Sequence, residues 1–200
     1  MLKKDFPIFE NNPTLVYLDS TASTQKPKYV IEAISSYLSN SYSNIHRWMY
    51  DIAVDSEKMY FDSKKKVAWI IWSKDFREII YTYNSTYALN LLTQTLRYNK
   101  ILKAWDKVLL SITEHHANIV PWLILKNEIW IEIDFVNIDD NYQIDFEDFS
   151  KKLTPNVKVV SFTQVSNVTW SIFDLEKIGK MIKTFSKDIL FVIDVSQSVP

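Results

Sequence analysis

Four short stretches hold the residues best suited to chemistry. In "YNSTY" (83–87), Ser85 and Thr86 open a helical pattern, with Ser85 as its expected cap. Hydroxyls beside the unpaired N–H groups of a first helical turn form an anion site of the kind that holds a phosphate. "TEHHANIVPW" (113–122) carries two of the three histidines, His115 and His116. An imidazole offers a flat face for stacking and a group that exchanges a proton near neutral pH. "VSNVTW" (165–170) offers Ser166 and Asn167, and "DVSQ" (194–197) ends an apolar run on Asp194, with Gln197 close behind. A carboxylate there is costly unless a cation or several donors meet it. Alone, each has a plainer reading: a helix cap, a satisfied histidine, a structural aspartate.

Those residues need elements that bring them together. Residues 27–40 place Val30, Ile34, Tyr37 and Leu38 on one helical face, with Pro27 suited to the first turn, and a second helix is predicted from Asp55 to about Ile71. A strand at 78–83 and a helix at 85–98 follow, then a strand at 107–112, helical "ANIVPWLILKN", and a strand at 131–138. A short helix near Phe146–Leu153 precedes a buried-strand run at 157–163, a helix at 174–187 and a strand at 189–195. Alternating strands and helices predict an α/β fold, a mostly parallel sheet covered by helices on both faces. Ligands bind beyond the carboxyl ends of such strands. That rule gathers Ser85 and Thr86, the run Glu114-His115-His116, Ser166 with Asn167, and Asp194 with Gln197 into one candidate site. A phosphate cradle, a flat stacking ring and a carboxylate facing a protonated ring nitrogen together describe a site for pyridoxal 5'-phosphate (PLP).

Composition narrows the remaining classes. The chain has 200 residues, 47% of them hydrophobic, enough for one full-sized core. With 23 basic and 24 acidic residues, the net charge of -1 gives no electrostatic case for nucleic acid or an anionic membrane. The run Lys64-Lys65-Lys66 reads as a solvated helix face. There is no cysteine, hence no disulfide framework and no thiolate metal site, and no metal centre is expected. The N-terminus lacks the apolar core of a signal peptide and no long apolar run follows, so a cytoplasmic protein is expected.

"YLDSTASTQKP" (17–27), "NIHRW" (44–48), "TEHHANIVPW", "VSNVTW" and "DVSQSVP" (194–200) together resemble the N-terminal half of a Suf-type cysteine desulfurase. These enzymes are class V aminotransferase relatives of PLP fold type I. The resemblance runs in order from Tyr17 to Pro200 and implies an N-terminal arm (1–16) followed by an incomplete large domain (17–200). It implies that His115 stacks on PLP and moves protons, that Asp194 pairs with the pyridine nitrogen, and that Gln197 meets the phenolic oxygen. By the same resemblance Ser85 and Thr86 hold the phosphate, Asn167 lies near the substrate carboxylate and cofactor, and Ala22 and His46 line the substrate pocket. The implied activity converts L-cysteine to alanine and an enzyme persulfide, with sulfur passing to a Suf-type acceptor for iron-sulfur cluster assembly by a homodimer. Selenocysteine lyase, cysteine sulfinate desulfinase and a non-catalytic remnant share the same visible residues. The family's cofactor-anchoring lysine and nucleophilic cysteine have no counterpart here. Lys177, Lys180 and Lys187 belong to the helix before Asp194, so a fragment is expected. The family's "RGTTE" reads "YNSTY" and its "DGAQ" reads "DVSQ".

One figure is anomalous: a single glycine, Gly179, beside seven tryptophans, where average usage gives about 14 glycines. Trp48, Trp72, Trp105, Trp130 and Trp170 stand where the family pattern has glycine, Trp69 is ambiguous, and only Trp122 fits the pattern. Some bacterial lineages read UGA as glycine, while a common alternative table writes tryptophan. These five positions are therefore expected to be recoded glycines.

Overall fold

The computed structural model describes residues 2–45 and 50–199. Two compact units divide the chain, Met1–Tyr81 and Thr82–Pro200. The first is helical: α1 (Pro7–Asn11), α2 (Lys28–Asn40) and α3 (Asp51–Ile70). Pro27 caps α2 with extended backbone (φ -70, ψ 156) instead of entering its first turn, and α3 starts four residues before the expected Asp55. No strand forms at 78–83. A 3-10 turn occupies Phe76–Glu78, and Ile79 beyond it is extended without a partner strand among the described residues. Alternating apolar residues supply a face, but only a neighbouring strand supplies a ladder. Here the segment packs on α3, with the Tyr81 ring 5.9 Å from Tyr60 and its hydroxyl 3.0 Å from that of Ser63.

The second unit alternates α4 (Ser85–Tyr98), β1 (Lys107–Ser111), α5 (Val120–Ile129), β2 (Glu132–Val136), α6 (Phe146–Lys152), β3 (Val157–Thr163), α7 (Leu175–Phe185) and β4 (Leu190–Asp194). All pairings are parallel, in the order β2-β1-β3-β4. Strand periodicity sorts the two faces. Leu109, Val160 and Phe162 join Phe149 of α6 and Ile178 and Ile182 of α7 in one core cluster. Val108, Leu110 and Val159 join Leu96 of α4 and Trp122 and Leu125 of α5 in the other. Burial on both faces explains the near-continuous apolar runs of β1 and β3. Helix starts are fixed locally: Asp145 accepts the N–H groups of Glu147 and Asp148, Asp174 accepts that of Lys177, and Pro121 sits in the first turn of α5. No helix among the described residues is long and apolar enough to cross a membrane.

Candidate functional site

The carboxyl ends of β1, β3 and β4 lie side by side in the sheet, so the loops beyond them are neighbours. The start of α4 joins them through a hydrogen-bonded relay. Ser196 donates both its N–H (2.9 Å) and its hydroxyl (2.5 Å) to Asp194 Oδ1. Its one hydroxyl proton is thereby committed, so in the 2.8 Å contact between Ser85 Oγ and Ser196 Oγ, Ser85 is the donor. Asp194 is 9% exposed. The carboxylate is anchored through one oxygen.

The cap of α4 is Asn84, not Ser85. Asn84 Oδ1 accepts the Tyr87 N–H at 2.8 Å, and its carbonyl accepts that of Ala88. Ser85 and Thr86 are therefore the first two helical residues, whose N–H groups have no partner within the helix. The sequence signal for the cap was present, since Asn is as good an N-cap as Ser.

His115 is exposed and caps the 3-10 turn His116–Asn118 that leads into α5. Its Nδ1 accepts the Ala117 N–H at 3.1 Å, so the neutral ring carries its proton on Nε2. His116 is also exposed, with its ring 6.2 Å from that of His115. Asn167 is half-buried at the tip of the loop after β3 and makes no hydrogen bond among the described residues. Ser166 builds that loop: its hydroxyl accepts the N–H groups of Val168 (3.3 Å) and Thr169 (3.2 Å). Ser198 ties the loops after β3 and β4 by donating to Gln164 Oε1 at 2.7 Å. Gln197 lies in the turn after β4 and is half-buried. Ala22 is exposed in a turn of the first unit, where its N–H donates to Asp19, and His46 lies outside the described residues.

The residue beside the histidines to which the sequence assigned no role is Glu114. It is 8% exposed and binds three elements at once. Its Oε1 accepts Ser111 Oγ at the end of β1 (2.6 Å) and the Thr163 N–H at the end of β3 (2.9 Å), and its Oε2 accepts Asn118 Nδ2 (2.7 Å). Asn118 Oδ1 in turn accepts Ser161 Oγ (2.7 Å) and the indole N–H of Trp122 (3.2 Å). Burial pushes the Glu114 carboxyl up to about 7; the three donors oppose this and the nearby Asp194 charge adds to it. An acidic residue just after a fully apolar strand was the available signal, overshadowed by the adjacent histidines.

Chemically, the start of α4 presents N–H groups unpaired within the helix, β4 ends on a carboxylate anchored through Oδ1, and the loop after β1 presents an exposed imidazole. Among proteins of known sequence, the family model described as aminotransferase class-V matches residues 16–200. A probable cysteine desulfurase of Synechocystis sp. is 33% identical, aligned over 100% of this chain and 47% of its own length. The cysteine desulfurase SufS of Plasmodium falciparum is 34% identical over 98% of this chain and 36% of its own. The apo structure of cysteine desulfurase from Thermococcus onnurineus NA1 matches with a TM-score of 0.89 at 32% identity, over 98% of this chain and 47% of that one. The cysteine desulfurase CsdA of Escherichia coli gives 0.85 at 27% identity. The chain thus spans about half the length, or less, of these relatives.

Proposed function

Because the chain belongs to the class-V aminotransferase family, we propose that it carries the cofactor-binding residues of a PLP-dependent cysteine desulfurase of the Suf type. The observation that carries this reading is the Ser85–Ser196–Asp194 relay, which couples the start of α4, with its N–H donors, to an anchored carboxylate. That donor and acceptor set fits PLP, which would offer a phosphate to the N–H donors and a protonated ring nitrogen to the carboxylate. Bound PLP supplies a conjugated ring that takes up the electron pair released at a substrate carbon.

The chain's residues have distinct duties in this reading. The N–H groups of Ser85 and Thr86 and the Thr86 hydroxyl bind the phosphate, while the Ser85 hydroxyl is held by Ser196. Asp194 Oδ2 receives the protonated ring nitrogen, and Ser196 keeps the carboxylate from rotating. His115 covers the ring face and moves a proton at Nε2. Gln197 orients the phenolic oxygen, Asn167 the substrate carboxylate, and Ala22 and His46 shape the substrate pocket. The substrate is L-cysteine and the products are alanine and a persulfide on an enzyme cysteine, handed to a Suf-type acceptor by a cytoplasmic homodimer. The lysine anchor and the sulfur-accepting thiol belong, in this reading, to the half of the relatives that these 200 residues do not span.

The test is alanine formation from L-cysteine by the native polypeptide supplied with PLP. His115→Ala is expected to lower the rate by at least roughly 100-fold while leaving PLP bound. Alanine from cysteine sulfinate or selenocysteine, with none from L-cysteine, would reassign the substrate.

A further inference from the structure

Glycine is scarce here, and the one present does not use its freedom. Gly179 lies inside α7, and a Cβ there would meet only the Phe191 ring at an ordinary 3.7 Å. The left-handed backbone that glycine normally occupies is found elsewhere. Among the described residues, six non-glycine residues have positive φ: Trp72 (55), Lys100 (55), Trp105 (71), Trp130 (64), Tyr142 (58) and Trp170 (60). Such residues are a few per cent of non-glycine positions and are enriched in Asn and Asp, not in bulky aromatics. Four of the six described tryptophans are among them, and chance does not place them there.

Each sits in a motif with a specific demand for glycine. Trp72 follows α3, and the Ser73 N–H reaches back to the Ala68 carbonyl at 2.9 Å. That is a Schellman closure with Trp72 at the left-handed C′ position, the commonest site of glycine at a helix end. Trp130 ends α5 in the same region (φ 64, ψ 35) with its N–H on Lys126. Trp105 is third in the turn Lys103–Asp106, closed by the Asp106 N–H on the Lys103 carbonyl at 3.1 Å. Positive φ at that position alone is the type II pattern, which calls for glycine. Trp170 closes the loop bearing Ser166 and Asn167, its N–H on the Ser166 carbonyl at 3.0 Å.

The side chains gain nothing in exchange. The four are 91%, 67%, 69% and 69% exposed, whereas Trp122, with ordinary backbone, is fully buried and hydrogen-bonded. Trp69 is helical, so its backbone makes no such demand. We infer that positions 72, 105, 130 and 170 are glycine in the polypeptide the cell makes, each written as tryptophan because a UGA codon was read under the wrong code. The loop that presents Asn167 then closes on glycine, and the exposed indoles at 105 and 130 do not exist in the cell.

Peptide masses of the native protein test this. Glycine at 72, 105, 130 and 170 together with tryptophan at 122 is the expected result; tryptophan at the four positions overturns the inference. An independent test compares the chain as written with its W72G/W105G/W130G/W170G form. Relief of left-handed strain exceeds the entropy cost of glycine, so Tm is expected to rise by roughly 5–10 °C. Trp122→Gly, by contrast, should abolish cooperative unfolding. A quadruple variant no more stable than the written chain also overturns the inference.

Discussion

Glu114 is the residue with the most distinctive solution behaviour. Its carboxyl titrates at about 7 in the fold and near its ordinary 4.5 once unfolded. Between those values the folded state holds the proton that the unfolded state has lost, so stability falls as pH rises from about 4.5 to 7 and is level above. The loss is on the order of 3 kcal/mol. Asp62 and Asp75 shift the other way: Lys65 and Arg77 hold them below the usual carboxylate range, so their effect belongs to more acidic pH. Glu114→Gln should flatten the slope between pH 4.5 and 7 in denaturant titrations; an unchanged slope would assign it elsewhere. Trp122→Phe tests the neighbouring network. It removes the indole N–H from Asn118 in a fully buried site, with an expected loss of about 1–3 kcal/mol in urea unfolding. The sequence placed His115 and Asp194 at or just beyond the ends of predicted strands, where the structure has them. It placed Glu114 beside His115 without a role, because the three partners from β1, β3 and the 3-10 turn are close only after folding.

At the scale of elements, α4 carries the residues proposed to bind phosphate, and Asn84 sets where α4 begins. Asn84→Ala removes the bond to the Tyr87 N–H and should cost about 1 kcal/mol, lowering Tm by roughly 2–4 °C. It should also weaken phosphate-dependent binding more than Asp174→Ala, the equivalent cap loss at α7. Equal effects would separate the start of α4 from the site. Most elements were legible because their signals are local. β3 and α4 occur where periodicity placed them, and β1, β2 and β4 end within two residues of expectation. The strand at 78–83 was not, because pairing depends on a neighbour that local alternation cannot announce. Its apolar residues instead found α3. The cap assignment failed by one residue for a related reason: Asn84 and Ser85 are both good caps, and only the backbone decides between them.

Across the whole molecule, a parallel sheet in the order β2-β1-β3-β4 sets three strand ends beside one another, and the relay from Ser85 through Ser196 to Asp194 joins the fourth segment. The convergence of the three strand ends was legible from the rule that ligands sit beyond the carboxyl ends of parallel strands, whereas Ser85 and Thr86 were placed there through a strand at 78–83 that does not form. The relay itself was not legible, since Ser196 carries no sequence signal apart from its place after Asp194. The central claim is that this convergence is a PLP site, and the most direct measurement is an equilibrium titration of PLP against the wild-type chain and two variants. The account predicts saturable one-to-one binding, at least roughly tenfold weaker in both Ser85→Ala/Thr86→Ala and Asp194→Asn, because charge-assisted bonds of about 1.5–3 kcal/mol are lost. It also predicts no change when the exposed lysines Lys177 and Lys180 are replaced. Binding that is indifferent to Asp194 and Ser85 but follows those surface lysines would contradict it.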